Sequence, residues 1–155
     1  SYTLPADTCD MTVIRSFILL MAEKTAARMR RYGFKARTVS IYVRYTGFTS
    51  SGKSRTPGGF METGLEIYRA AFKIFESFMP LKNSVRMIGV SVSNLADIDG
   101  QEVLFAEYGK KKEMSAVMDK INTRYGGLKI KPASLITADK FGILKKCGVL
   151  SKRVW

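Results

Sequence analysis

Apolar residues recur at helical spacing over 11–32, where Ile14, Phe17, Ile18 and Met21 mark one face. Asp7, Thr8 and Asp10 stand just ahead as candidate N-caps, and Gly33 supplies the stop. Over 37–46 the period changes to two. Val39, Ile41, Val43 and Tyr45 alternate with Thr38, Ser40, Tyr42 and Arg44, which predicts a half-buried strand. A short extended start at 3–5, a loop at 47–52 and a second strand at 53–56 complete the first half. Pro57-Gly58-Gly59 breaks the chain. Helical spacing then returns over 62–79, with Leu65, Tyr68, Phe72, Phe75 and Met79 inward and Pro80 as the stop. Alternation over 85–93, with Ile88, Val90 and Val92 on one face, predicts the last strand.

The order is therefore strand, helix, strand, strand, helix, strand. Each helix has one apolar stripe and the clear strand has one apolar face, so an α+β layer follows: a four-stranded sheet, mixed or antiparallel, with two helices packed on one face. The other sheet face is expected to be polar and basic. Thr38, Ser40, Arg44, Ser54, Thr56, Ser91 and Ser93 fall on it, with Arg37, Lys53, Arg55 and Arg86 nearby. Hydroxyl and guanidinium groups on an open sheet suit phosphate oxygens.

After Asn94 the character changes, which divides the chain into a domain at 1–96, a linker at 97–109 and a tail at 110–155. Lys110-Lys111-Lys112 opens a third helix in which Met114, Val117, Met118, Ile121 and Tyr125 mark one apolar face, and Gly126-Gly127 ends it. The linker holds Gln101-Glu102-Val103-Leu104-Phe105. Leu104 and Phe105 are an apolar pair that the local pattern gives no reason to bury, and Gln101 precedes them with an amide that both donates and accepts. Two hydrophobic plugs and one polar group make a portable anchor for a protein partner.

Charge adds a second partner. Lys and Arg number 26 against 13 Asp and Glu in 155 residues, a net charge of +13, with the excess spread along the chain. Such an imbalance attracts polyanions, nucleic acid first among them. The chain has no histidine, which removes the commonest general base and most zinc sites. Cys9 and Cys147 lie far apart, as two free thiols of a reducing cytoplasm. The apolar run from Phe17 to Ala22 is far too short to cross a bilayer.

Gly47-Phe48-Thr49-Ser50-Ser51-Gly52-Lys53-Ser54 fits a phosphate-binding loop letter for letter. A true loop of that kind starts a helix at its lysine, and here that helix would meet Pro57-Gly58-Gly59 within its first turn. A hairpin loop is the better account. Asp97 and Asp99 flank a turn and lack a third partner, so they do not form a metal centre.

Three segments, 28–39, 85–95 and 119–126, in this order and spacing, resemble the C-terminal part of Y-family translesion DNA polymerases, the lineage of DNA polymerases IV and V. The resemblance implies the family's little-finger domain, a four-stranded sheet with two helices whose open face lies along duplex DNA. It implies DNA contacts from Arg37, Thr38, Ser40, Arg44, Lys53, Ser54, Arg55, Thr56 and Arg86. Met87 and Ser91 stand where cations often occur in the family. The Gln101 to Phe105 peptide is similar to a bacterial sliding-clamp-binding motif, with Gln101, Leu104 and Phe105 as its contacts and Glu102 in place of a frequent leucine. By the same resemblance, the metal-binding carboxylates and their magnesium belong to a palm upstream of Ser1, so this chain carries no catalytic residue and no cofactor. It would be the DNA-gripping and clamp-tethering part of an enzyme of DNA repair and the SOS response, in the bacterial cytoplasm at the nucleoid. A free-standing basic nucleic-acid-binding α+β protein is the alternative, and a nucleotide-binding enzyme a distant third.

Overall fold

The computed structural model describes residues 1–98 and 106–136. It begins with strand β1, Tyr2–Thr8, and helix α1, Met11–Arg31. Of the three candidate caps, Asp10 is the N-cap: its carboxylate accepts from the Thr12 amide at 2.7 Å. Arg28, Arg30 and Arg31 fill the last turn, where the helix dipole favours cations. Gly33 ends the helix with φ +75°, a conformation glycine adopts without strain, while its amide donates to the Arg30 carbonyl. Ser16 through Ala22 are all buried, because α1 is covered on more than one side.

The chain continues with β2, Phe34–Tyr45; β3, Ser50–Arg55; helix α2, Gly64–Glu76; and β4, Val85–Asp97. The four strands form one antiparallel sheet in the order β1-β4-β2-β3. Alternation along β2 places Val39, Ile41 and Val43 in the core, beside Val92, Val90 and Ile88 of β4 in register. α1 packs on this face and α2 packs on α1, which gives the α+β layer expected from the sequence. Phe17, Leu20, Ile41, Ile67, Phe75 and Ile88 are among its fully buried side chains. Each such side chain contributes on the order of 1.5–3 kcal/mol to folding.

Several boundaries and faces differ from the sequence reading: β1 covers Tyr2–Thr8, β2 starts at Phe34 and β4 runs on to Asp97. β3 starts at Ser50 rather than 53, since the polar Ser50-Ser51-Gly52 is held by its ladder to β2 and not by burial. α2 runs from Gly64 to Glu76 because Thr63 and Glu66 form a capping box, and Ser77 rather than Pro80 closes it. Its inward row is Ile67, Ala71, Ile74 and Phe75; Leu65 and Met79 are exposed, and Tyr68 and Phe72 lie half-buried at the flank. Phe75 is buried as expected, Tyr68 and Phe72 pack against the core from its flank, and only Leu65 and Met79 turn outward. α3, Ala106–Tyr125, begins before the lysine run, and Met114, Val117 and Tyr125 are exposed. It is held to α1 by Arg30 instead, which bonds both carboxylate oxygens of Asp119 at 2.7 and 3.0 Å.

Beyond α3 the chain turns at Gly126 and Gly127, and Asn122 bonds both the amide and the carbonyl of Ile130 at 2.9 Å. Pro132 then leads into a single 3₁₀ turn, Ala133–Leu135, whose Leu135 is fully buried in the core.

Candidate nucleic-acid interface

The pleat that buries Val39, Ile41 and Val43 turns Thr38, Ser40, Tyr42 and Arg44 to the opposite face of β2. Register extends that face across three strands as rows. Ser54, Ser40 and Ser91 form one; Gly52, Tyr42 and Gly89 the next; Ser50, Arg44 and Met87 the third. At the other end Thr38 stands opposite Ser93. Hydroxyls tie the strands together along these rows. Ser40 Oγ and Ser54 Oγ are 2.8 Å apart, as are Thr38 Oγ1 and Thr56 Oγ1, and Asn94 Nδ2 donates to Thr38 at 2.8 Å. Thr38 is only 7% exposed, so it organises its row, while Ser54 and Thr56 lie open. Arg44 Nε donates to the Tyr42 hydroxyl at 3.2 Å. Hydrogen bonds from Ser50 and then Arg44 hold that phenol below its ordinary value.

The remaining cations sort differently from the hydroxyls. Lys53 pairs with Ile41 and Arg55 with Val39, so both point to the helix side of the edge strand. The contiguous strip 53–56 is divided by the pleat: Ser54 and Thr56 on the open face, Lys53 and Arg55 behind it. Lys53 Nζ donates to Ser77 Oγ at 2.9 Å and the Ser77 carbonyl at 3.3 Å, beside the Phe78 ring. Arg37 also lies behind the sheet, 5.8 Å from the Phe60 ring centroid. Arg86, at the bulge where β4 meets Tyr45, stacks on Phe48 at 5.1 Å and sits 3.9 Å from the Asp7 carboxylate. In the rows of the three strands, Arg44 is the one cation among the described residues.

Two features escaped the sequence reading. Phe48 is 70% exposed at the hairpin tip with φ +66°, beside Gly47 at +87°. Phe60 is exposed beyond the proline break, with Lys35 at 5.0 Å from its ring. An apolar residue inside a glycine-rich loop was the available signal for both. The phosphate-loop match is a turn and an edge strand: no helix begins at Lys53. Cys9 is exposed and free. Asp97 ends β4, and Asp99 lies outside the described residues, as do Gln101, Leu104 and Phe105. Among the described residues no three metal-binding side chains converge, and no helix is long and apolar enough to cross a membrane.

Residues 1–104 match the family described as the impB/mucB/samB family C-terminal domain. The chain is similar to the DNA polymerase IV of Pelotomaculum thermopropionicum, 31% identical over 147 residues that make up 94% of this chain and 36% of that protein. It is 33% identical over 125 residues to the DNA polymerase IV of Moorella thermoacetica, covering 80% of this chain and 31% of that protein. For that of Clostridium kluyveri the figures are 29% over 156 residues, 90% and 38%. The chain thus spans about a third of the length of these relatives.

Proposed function

The chain belongs to the impB/mucB/samB family as the C-terminal domain of a Y-family polymerase, and on that premise we propose that its open sheet face grips duplex DNA by the backbone. The observation that carries the reading is the set of serine, threonine and glycine rows, left uncovered by either helix. Small hydroxyl side chains let a phosphate backbone come close and donate to its oxygens. Such contacts fix position without reading sequence. Arg44 lies within the face, Arg86 at its end, and Lys53, Arg55 and Arg37 along the edge behind it.

The rest of the reading starts from the relatives' printed name, DNA polymerase IV, and goes beyond it. This domain serves a DNA-directed DNA polymerase of translesion synthesis, whose catalytic carboxylates and magnesium lie in another part of the protein. The Gln101 to Phe105 peptide, between β4 and α3 in the chain, docks on the bacterial sliding clamp, with Leu104 and Phe105 in an apolar pocket and Gln101 at its edge. A lone short peptide loses ordering entropy on docking, so its affinity is micromolar. Its effect is to raise the local concentration of the polymerase at the primer end.

Titration of primer-template DNA at several salt concentrations tests the DNA reading. Neutralising about three to five phosphates gives a slope of log affinity against log salt of about −3 to −4.5. Several unrelated duplexes should bind alike. Salt-insensitive binding, or binding confined to one sequence, would contradict a backbone grip.

A further inference from the structure

Behind the edge strand, the 56–63 segment returns to β2. The Ala36 and Met61 backbones exchange hydrogen bonds of 3.0 and 2.7 Å. This return leaves a cleft of about 390 Å³ between the segment and α2. Its apolar floor includes Phe60, Met61 and Ala70, and Arg55, Arg69 and Lys73 stand around it. Lys35 and Arg37 flank the Phe60 ring from the β2 side. Among the described residues Glu66 is the only carboxylate lining the cleft, and its Oε2 is already engaged by the amides of Glu62 and Thr63 in the capping box. Among the described residues none of these cations has an ion-pair partner.

Unpaired cations around an exposed aromatic ring fit a ligand that carries both negative charge and flat apolar faces. A single nucleic-acid strand has both: phosphates for the cations and bases for the ring. Location favours it over an acidic peptide. The cleft meets the hydroxyl face across the single strand β3, where Ser54 points one way and Arg55 the other. A strand leaving a duplex on the open face reaches the cleft by passing around that one edge. We propose that the Phe60 cleft holds a single-stranded segment continuous with the bound duplex, one base stacking on Phe60 and its phosphates facing Arg55, Arg69 and Lys73. This rests on the duplex reading above.

The test uses the full chain and three labelled probes: a blunt duplex, the same duplex with an oligothymidylate overhang, and oligothymidylate alone. The overhang should raise affinity about fivefold to tenfold. Phe60→Leu keeps an apolar side chain and removes the ring; Arg69→Ala with Lys73→Ala removes two cations. Both variants should lose the gain from the overhang and keep the affinity for blunt duplex. An overhang that adds nothing, or variants that weaken blunt and overhung duplex equally, would overturn the proposal. So would an oligoglutamate peptide whose binding depends on Phe60 while the overhang adds nothing. If blunt duplex fails to bind while oligothymidylate binds through Phe60, the open-face reading falls and the cleft stands.

Discussion

Glu23 lies where α1, α2 and α3 meet, and it shows how one residue sets a pH dependence. Burial pushes its carboxyl above the ordinary value of 4.5; the Arg30 guanidinium opposes this, and Asp119 adds to it. Gly64 opens α2 at that point, and a Cβ there would overlap the Glu23 carboxyl. Because the folded state holds the proton more tightly than the unfolded chain, Glu23 contributes most to stability at low pH. That contribution is lost as pH rises from about 4.5 through the higher folded value. Denaturant melts across this window should show the fall in wild type, and Glu23→Gln should remove it. A fall of the same size in the variant would place the titration elsewhere. None of this was legible in the sequence, because a glutamate inside a long helix reads as solvated until the start of α2 is packed against it.

Among the elements, the last short turn has the clearest energetic signature. Leu135 is fully buried although it lies in a segment whose scattered apolar residues show no period. Leu135→Ala should lower stability by about 2–5 kcal/mol, as expected when a core leucine is truncated; thermal or urea melts measure it. A loss under 1 kcal/mol would mean that the turn only rests on the surface. Elements with a strong period were legible: α1, β2 and β4 lie where alternation or helical spacing put them. β3 began early because a ladder, not burial, holds it. α2 buries Phe75 as its spacing suggested, and the small Ala71 in its inward row carried too little hydrophobic weight to be read from patterning. The division of Lys53-Ser54-Arg55-Thr56 between two faces follows from period two alone, once register is known. The cleft at Phe60 needed the isolated Ala36 to Met61 pairing, which no local pattern announces.

At the scale of the whole molecule, DNA and the clamp are expected to use separate surfaces. Leu104→Ala with Phe105→Ala should abolish binding to the sliding clamp and leave duplex affinity and melting temperature unchanged. If the pair instead covers the domain's own core, the double variant will melt lower and the parent chain will show no clamp binding. Calorimetry and clamp titration on the same two proteins separate these outcomes. The net charge of +13 speeds encounter with any polyanion, so loss of a single cation is a blunt probe of where DNA sits. Ser91 is a sharper one. It is exposed on the open face, in the row of Ser40 and Ser54, and a carboxylate there would meet the phosphates directly. The decisive measurement is duplex affinity at fixed salt for Ser91→Glu against Thr123→Glu, which makes the same charge change at an exposed site on α3. Ser91→Glu should weaken binding about tenfold or more while Thr123→Glu stays near wild type. Equal, small effects from both would contradict the open sheet face as the DNA-binding surface.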